Sequence, residues 1–225
     1  GSLGAALATY YSMSNQSRLI NKEDSMLGGF LGPEFKQDAI ESSLIKLGAN
    51  YQLLSDEKIT EYTCEALIQG KAVGWHQGRM EFGPRSLGSR SIIADARSSD
   101  MQKTLNLKVK FRESFRPFAP SVLNNRVSDW FDIETESPYM AIVATVKKEH
   151  REKISDLDND LMGIEKLNIK RSSLPAITHI DYSARIQTVH EETNPKYYAL
   201  IKRFEDLTGC PVIINTSFNI RGEPM

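Results

Sequence analysis

The stretch from Asn194 to Asn215 restricts the fold more than any other part of the chain. Asn194 is suited to cap a helix, Pro195 to its first turn, and Gly209 to the position just past its end. Tyr197, Ile201, Phe204 and Leu207 recur at helical spacing and make one apolar stripe, with Tyr198 as the alternative to Tyr197. The apolar run Pro211–Ile214 follows directly and reads as a buried strand ending at Asn215. A capped amphipathic helix feeding a buried strand needs a sheet with that helix packed on it. The alternation recurs upstream. Ser55 caps a predicted helix over Ser55–Gln69, with Ile59, Thr63, Ala66 and Leu67 on one face and Gly70 at its end, and Ala72–Trp75 reads as a strand. Ser99–Leu107 is a further predicted helix; Phe118–Leu123, Met140–Val146 and Ala184–His190 are predicted strands. The expected class is α/β or mixed α+β.

Two hundred and twenty-five residues suffice for one large domain, or one domain with an appendage, without disulfide staples. Cys64 and Cys210 lie far apart with no CxxC spacing, which fits reduced thiols in a cytoplasmic protein. A formal net charge of -1 argues against a general nucleic-acid binder but allows a local basic pocket. His76, His150, His179 and His190 make no i, i+4 pair, so no metal site is expected within the chain. No apolar run approaches the ~20 residues of a membrane span, and the opening residues do not form a signal peptide. Leu3–Ser12 reads as a short apolar helix that belongs to, or docks on, a neighbouring domain. Asn15–Asp24 and Ser25–Pro33 read as connecting loops, and the charged stretch Lys147–Lys170 as a mobile loop or hairpin tip. The absent initial methionine and the stop at Met225 suggest cuts in a longer protein.

Three polar constellations stand out. Gly78–Arg97 places Arg79, Arg85, Arg90 and Arg97 among Gly78, Gly83, Gly88 and Pro84. That mixture suits a rigid anion-binding loop, or else a turn with solvated arginines. Lys108–Pro120 interleaves Lys108, Lys110, Arg112 and Arg116 with apolar residues. On a strand, Lys110, Arg112, Ser114 and Arg116 would share a face, a like-charge cluster that calls for an anion unless Glu113 and solvent suffice. The third, Ile214–Met225, sets Asn215, Thr216, Ser217 and Asn219 at a strand end, where α/β folds hold ligands; alone it reads as a polar turn. His179, Asp181 and Arg185 are weaker candidates. Neither a P-loop nor a GxSxG elbow is present. Arginine-rich anion binding with little acid–base furniture suits phosphoryl or nucleotidyl transfer.

In order, GRMEFGPRSLGSRSI, VKFRESFRPFAPSV, ITHIDYSARIQTV and TGCPVIINTSFNIRGEP closely resemble the carboxyl-terminal half of the NodU/CmcH carbamoyltransferases. The resemblance runs from about Phe30 to Met225 and is poorest over Lys147–Lys170. Ser86 stands where that family usually has alanine. It implies a YrdC/Sua5-like twisted mixed sheet with flanking helices over residues 30–225. Residues 1–29 resemble the tail of a preceding Kae1-like domain and its linker. The implied chemistry joins ATP, with magnesium, and carbamoyl phosphate into carbamoyl-adenylate. The Kae1-like domain, which would hold its own metal ion, would pass the carbamoyl group to an acceptor hydroxyl on an antibiotic, nodulation factor or other sugar-like metabolite. By motif position Arg85, Arg116, Arg185, Asn215 and Ser217 match the contacts to ATP and carbamoyl phosphate, with Lys110 as an additional contact. Arg85, Arg116 and Lys110 are the expected catalytic set. The contrasting expectation is a YrdC-like module that binds RNA or a nucleotide without catalysis.

Overall fold

A computed structural model of the chain describes residues 1–19, 21, 24–155 and 160–224. Helices α1 (Ser2–Ser14), α2 (Gln37–Lys46) and α3 (Asp56–Ile68) come first, then strands β1 (Val73–His76) and β2 (Arg90–Asp95). Helix α4 (Met101–Lys108) leads to β3 (Ala119–Leu123), the short α5 (Val127–Trp130) and β4 (Ile142–Thr145). Helix α6 (Gly163–Leu167), β5 (Ser183–Val189), α7 (Pro195–Thr208) and β6 (Val212–Ser217) follow. The strands make one sheet in the order β1-β2-β6-β3-β5-β4. Strands β3 and β5 run parallel and every other neighbouring pair is antiparallel. The mixed α/β class with flanking helices is therefore the one the chain adopts.

The end signals act as expected. Ser55 Oγ accepts from the Lys58 N–H at the start of α3, and Asn194 Oδ1 accepts from the Tyr197 N–H at the start of α7. Gly209 closes α7 in the left-handed region at φ 73°. Helices α3 and α7 pack on each other and against β1, β2, β3 and β6. Their buried stripes are Thr63, Cys64 and Leu67 on α3, and Tyr197, Leu200, Ile201 and Phe204 on α7. Ile59 and Leu207, expected on those stripes, are exposed because each lies in the outermost turn. Cys64 and Cys210 are free and buried, and burial pushes their thiols up to about 11 and about 12.

Several elements differ from expectation. Residues 90–95 form a strand, not part of a loop, because Arg90–Asp95 pairs on both sides with β1 and β6. Helix α2 was not among the expected elements, although Ile40 and Leu44 stand at helical spacing; both are half-buried and none of its residues is fully buried. No strand carries Lys110 through Arg116. Lys110 sits just past α4, and Phe111 at φ 45° breaks any extended run. Strand β6 continues two residues beyond the expected end, to Ser217. Helix α1 forms as expected and buries no residue. Ser25–Pro33 contains one short turn of helix at Leu27–Gly29. Within the charged 147–170 stretch, residues 156–159 lie outside the described ones. Around them Arg151 bridges Ser172 and α6 forms.

Gly88 is fixed by packing. Its φ is +103°, and a Cβ there would lie 2.3 Å from the Tyr197 ring. Gly88→Ala should therefore lower stability by about 3–5 kcal/mol, combining backbone strain with overpacking. Denaturant midpoints of the two proteins would check this.

Candidate functional site

The topology brings distant motifs to one edge of the sheet. Strand β6 runs antiparallel to β2 and β3, and β5 runs with β3. The carboxyl end of β6 therefore lies beside the starts of β2 and β3, with the start of β5 one strand further along the same side. Ser217 pairs with Ser91 and Asn215 with Ala119. The segment before β2 carries Arg85, the segment before β3 carries Lys110, Arg112 and Arg116, and Arg185 lies near the start of β5. All six expected site residues reach this edge.

The glycine–arginine loop is built around an anion of its own. Glu81 is buried, and its Oε1 accepts from the backbone N–H of Leu87 (2.7 Å), Ser89 (2.8 Å) and Arg90 (3.2 Å). The amides of Leu87, Ser89 and Arg90 are thus used inside the protein. The four arginines separate by role. Arg90 is buried and donates to the carbonyls of Gln77, Gly78 and Ser89. Arg97 pairs with Asp95 at 2.7 Å, and Arg79 reaches Glu34 and the Gly32 carbonyl. Arg85 is exposed and lines the cavity at the sheet edge.

The second basic motif turns sharply, so its cations point to different partners. Lys110 Nζ is buried against four oxygens of the β6 end. It lies 2.6 Å from Ser217 O, 3.2 Å from Ser217 Oγ, 2.8 Å from Asn219 O and 3.1 Å from Asn219 Oδ1. Burial, then the nearby Arg112 charge, pushes its ammonium down to about 8. Arg112 Nε donates to Asn106 Oδ1 at 2.6 Å, and its guanidinium lies 4.8 Å from the Phe118 ring centre. Arg116 is 55% exposed and pairs with Glu113 at 2.8 Å.

Two cavities meet at this edge. One, of about 190 Å³, is lined by Arg85, Arg112, Arg185, Asn215 and Ser217 among others, with no carboxylate. The other, of about 330 Å³, is lined by Lys110, Arg112, Arg116, Ser217, Asn219 and Arg221, with Glu113 as its one acid. Arg112, Thr216 and Ser217 border both. A third cavity, of about 760 Å³, also reaches Arg85 and Arg185 and is walled by α1, Phe82 and Tyr139. Arg185 has its Nε buried, without a hydrogen-bond partner among the described residues. Burial, then the Arg85 guanidinium, lowers its proton affinity. Three guanidinium groups around one small cavity, with no acid in its lining, make a strong anion site.

His179 and Asp181 do not join it. The Asp181 carboxylate accepts from the Ser183 N–H and Oγ, and the His179 N–H donates to the Ser183 carbonyl, closing the turn into β5. Arg112 and Asn219 do join it, although only their neighbours were expected to be contacts. The signal for both was present in the basic stripe and the polar strand end.

A family model described as "Carbamoyltransferase C-terminus" matches residues 64–225. The chain is 54% identical to an uncharacterized protein of Synechocystis over its whole length, covering 37% of that protein. It is 35% identical over 99% of its length to the nodulation protein NolNO of Sinorhizobium fredii, covering 30% of it. It is 35% identical over 99% of its length to the nodulation protein NolO of Bradyrhizobium diazoefficiens, covering 37% of it. The chain thus spans about a third of the length of these curated relatives.

Proposed function

Because this chain belongs to the carbamoyltransferase C-terminus family, we propose that its sheet-edge site binds ATP and carbamoyl phosphate and joins them into carbamoyl-adenylate. The observation that carries the reading is the cavity walled by Arg85, Arg112 and Arg185 with no acid in its lining. A second cation-lined cavity shares a wall with it, which gives room for two phosphate-bearing substrates side by side.

The reaction needs no nucleophile from the protein. Water cleaves carbamoyl phosphate to carbamate and phosphate. A carbamate oxygen then attacks the α-phosphorus of ATP, the bond to the bridging oxygen breaks, and pyrophosphate leaves with that electron pair. The chain's task is to hold phosphate oxygens in line and neutralise the charge that grows on the leaving group. Arg85, Arg112 and Arg185 supply fixed positive charge, while Thr216 can add a neutral hydrogen bond; the Ser217 hydroxyl already donates to Asn219 Oδ1. Magnesium, which would neutralise phosphate charge on the nucleotide, belongs to the same proposal. Transfer to an acceptor hydroxyl, by a preceding domain with its own metal, and a cytoplasmic location belong to the same proposal. No helix among the described residues is long and apolar enough to cross a membrane.

The test is carbamoyl-phosphate-dependent exchange of radiolabelled pyrophosphate into ATP. Exchange is expected. Its absence, together with no ATP binding and tight RNA binding, would instead favour a non-catalytic module. Arg116 is half exposed and already paired with Glu113, so its contribution is that of one screened charge-assisted bond. Arg116→Ala should slow exchange about tenfold, equivalent to about 1.4 kcal/mol. An unchanged rate would remove Arg116 from the site.

A further inference from the structure

Behind the cavity runs a buried chain of hydrogen bonds in which every group has one permitted direction. At its centre is Gln187 on β5, which is 3% exposed and lines neither small cavity. Its Nε2 donates to the Leu87 carbonyl at 2.8 Å. A carbonyl only accepts, so the amide nitrogen must face Leu87 and Oε1 must face the other way. There Oε1 accepts from Ser121 Oγ at 2.6 Å and from Asn215 Nδ2 at 2.7 Å. Asn215 Nδ2 also donates to the Ser86 carbonyl at 3.0 Å. Ser121 gives its proton to Gln187, so its oxygen is left to accept from Tyr197 Oη at 3.1 Å.

We propose that Gln187 is a positioning residue: it sets which way the Asn215 amide faces and ties the strand end at Asn215 to the loop that presents Arg85. The inference rests on the reading of the cavity as a site for phosphate-bearing substrates. Gln187 grips residue 87 directly and, through Asn215, the carbonyl of residue 86. Both lie immediately after Arg85, so the same side chain fixes two walls of one cavity. Glutamine offers a donor and a doubly accepting oxygen at this reach whatever the pH, whereas glutamate does so only while protonated. An ionised glutamate would turn an acceptor on the Leu87 carbonyl, and methionine would leave Asn215 Nδ2 one partner short and the Leu87 carbonyl without this donor.

A double-mutant cycle on the full chain tests this, with inorganic pyrophosphate as the probe in titration calorimetry and isotope exchange measured alongside. Gln187→Met should weaken pyrophosphate binding about tenfold in the natural background and less than threefold once Asn215→Ala is present. A lesion that merely loosens the core would weaken both backgrounds by the same factor, and that result would overturn the proposal. Gln187→Leu, which also removes both the donor and the acceptor, is held to the same comparison if the methionine variant does not fold. Failure of both to fold would show a bulk core role and also overturn it. If the natural chain binds pyrophosphate but shows no exchange, the adenylation reading fails and the cycle still decides the role of Gln187. If the natural chain does not bind pyrophosphate, there is no anion site for Gln187 to position, and the proposal falls.

Discussion

Arg185→Met is expected to slow carbamoyl-phosphate-dependent exchange by about 10²–10³-fold, the usual cost of losing a preorganised charge-stabilising donor. It should do so without lowering the melting temperature, and can raise it. The two effects have one cause. Arg185 extends from near the start of β5, beside the edge strand β4, into a cavity it shares with Arg85 and Arg112. Its Nε is buried and unpartnered, and the Arg85 charge nearby disfavours its own. Burial costs this guanidinium part of its hydration, and no carboxylate among the described residues pairs with it. Methionine keeps most of the packing volume and removes that cost. On the proposed function a substrate phosphate would supply the missing counter-charge, so the group that bears this cost would be the one the bound state needs. Exchange assays and thermal melts on one preparation decide the matter. Exchange at the natural rate would remove Arg185 from the site. A large drop in melting temperature would show a structural role instead.

The elements that were legible in advance are those whose signals are local. Asn194, Pro195 and Gly209 mark the ends of α7 through backbone chemistry that needs no partner, and the helix stands where they place it. Strand β2 was hidden because its residues lie in a glycine- and arginine-rich motif, and only pairing on both edges makes them a strand. The arginines of that motif look alike in a sequence. Which of them faces a ligand depends on where Glu81, Asp95 and the carbonyls of residues 77, 78 and 89 lie in space. Sequence order also concealed Gln187. Its partners, Ser121 and Asn215, are on the adjacent strand and the next one across, and periodicity says nothing about which strands adjoin. The six expected contacts come together because the sheet order puts the end of β6 between the starts of β2 and β3, with the start of β5 next in line.

Lys110→Met makes the opposite combination from Arg185→Met: both activity and stability should fall. Lys110 Nζ holds the end of β6 through Ser217 and Asn219, whose oxygens would lose this donor on truncation. Relief of the buried charge offsets part of that loss, leaving a net cost of about 2 kcal/mol. With Ser217 no longer held, exchange should fall about 10²-fold, since a misplacement on the scale of 1 Å is enough. The pH dependence separates the two contributions. The Lys110 ammonium is pushed down to about 8, while in the unfolded chain it titrates near 10.5. Between those values the unfolded chain binds more protons, so this residue's contribution to stability rises with pH across the window. Activity moves the other way. An ammonium has three N–H groups for four oxygens, whereas the neutral amine has two and turns a lone pair toward an acceptor. Exchange should therefore decline as pH rises through about 8, even as this group's contribution to stability increases. In Lys110→Arg the charge persists well above that range, so the decline should vanish from the exchange profile. A profile that still falls through pH 8 in the arginine variant would assign the titration to another group.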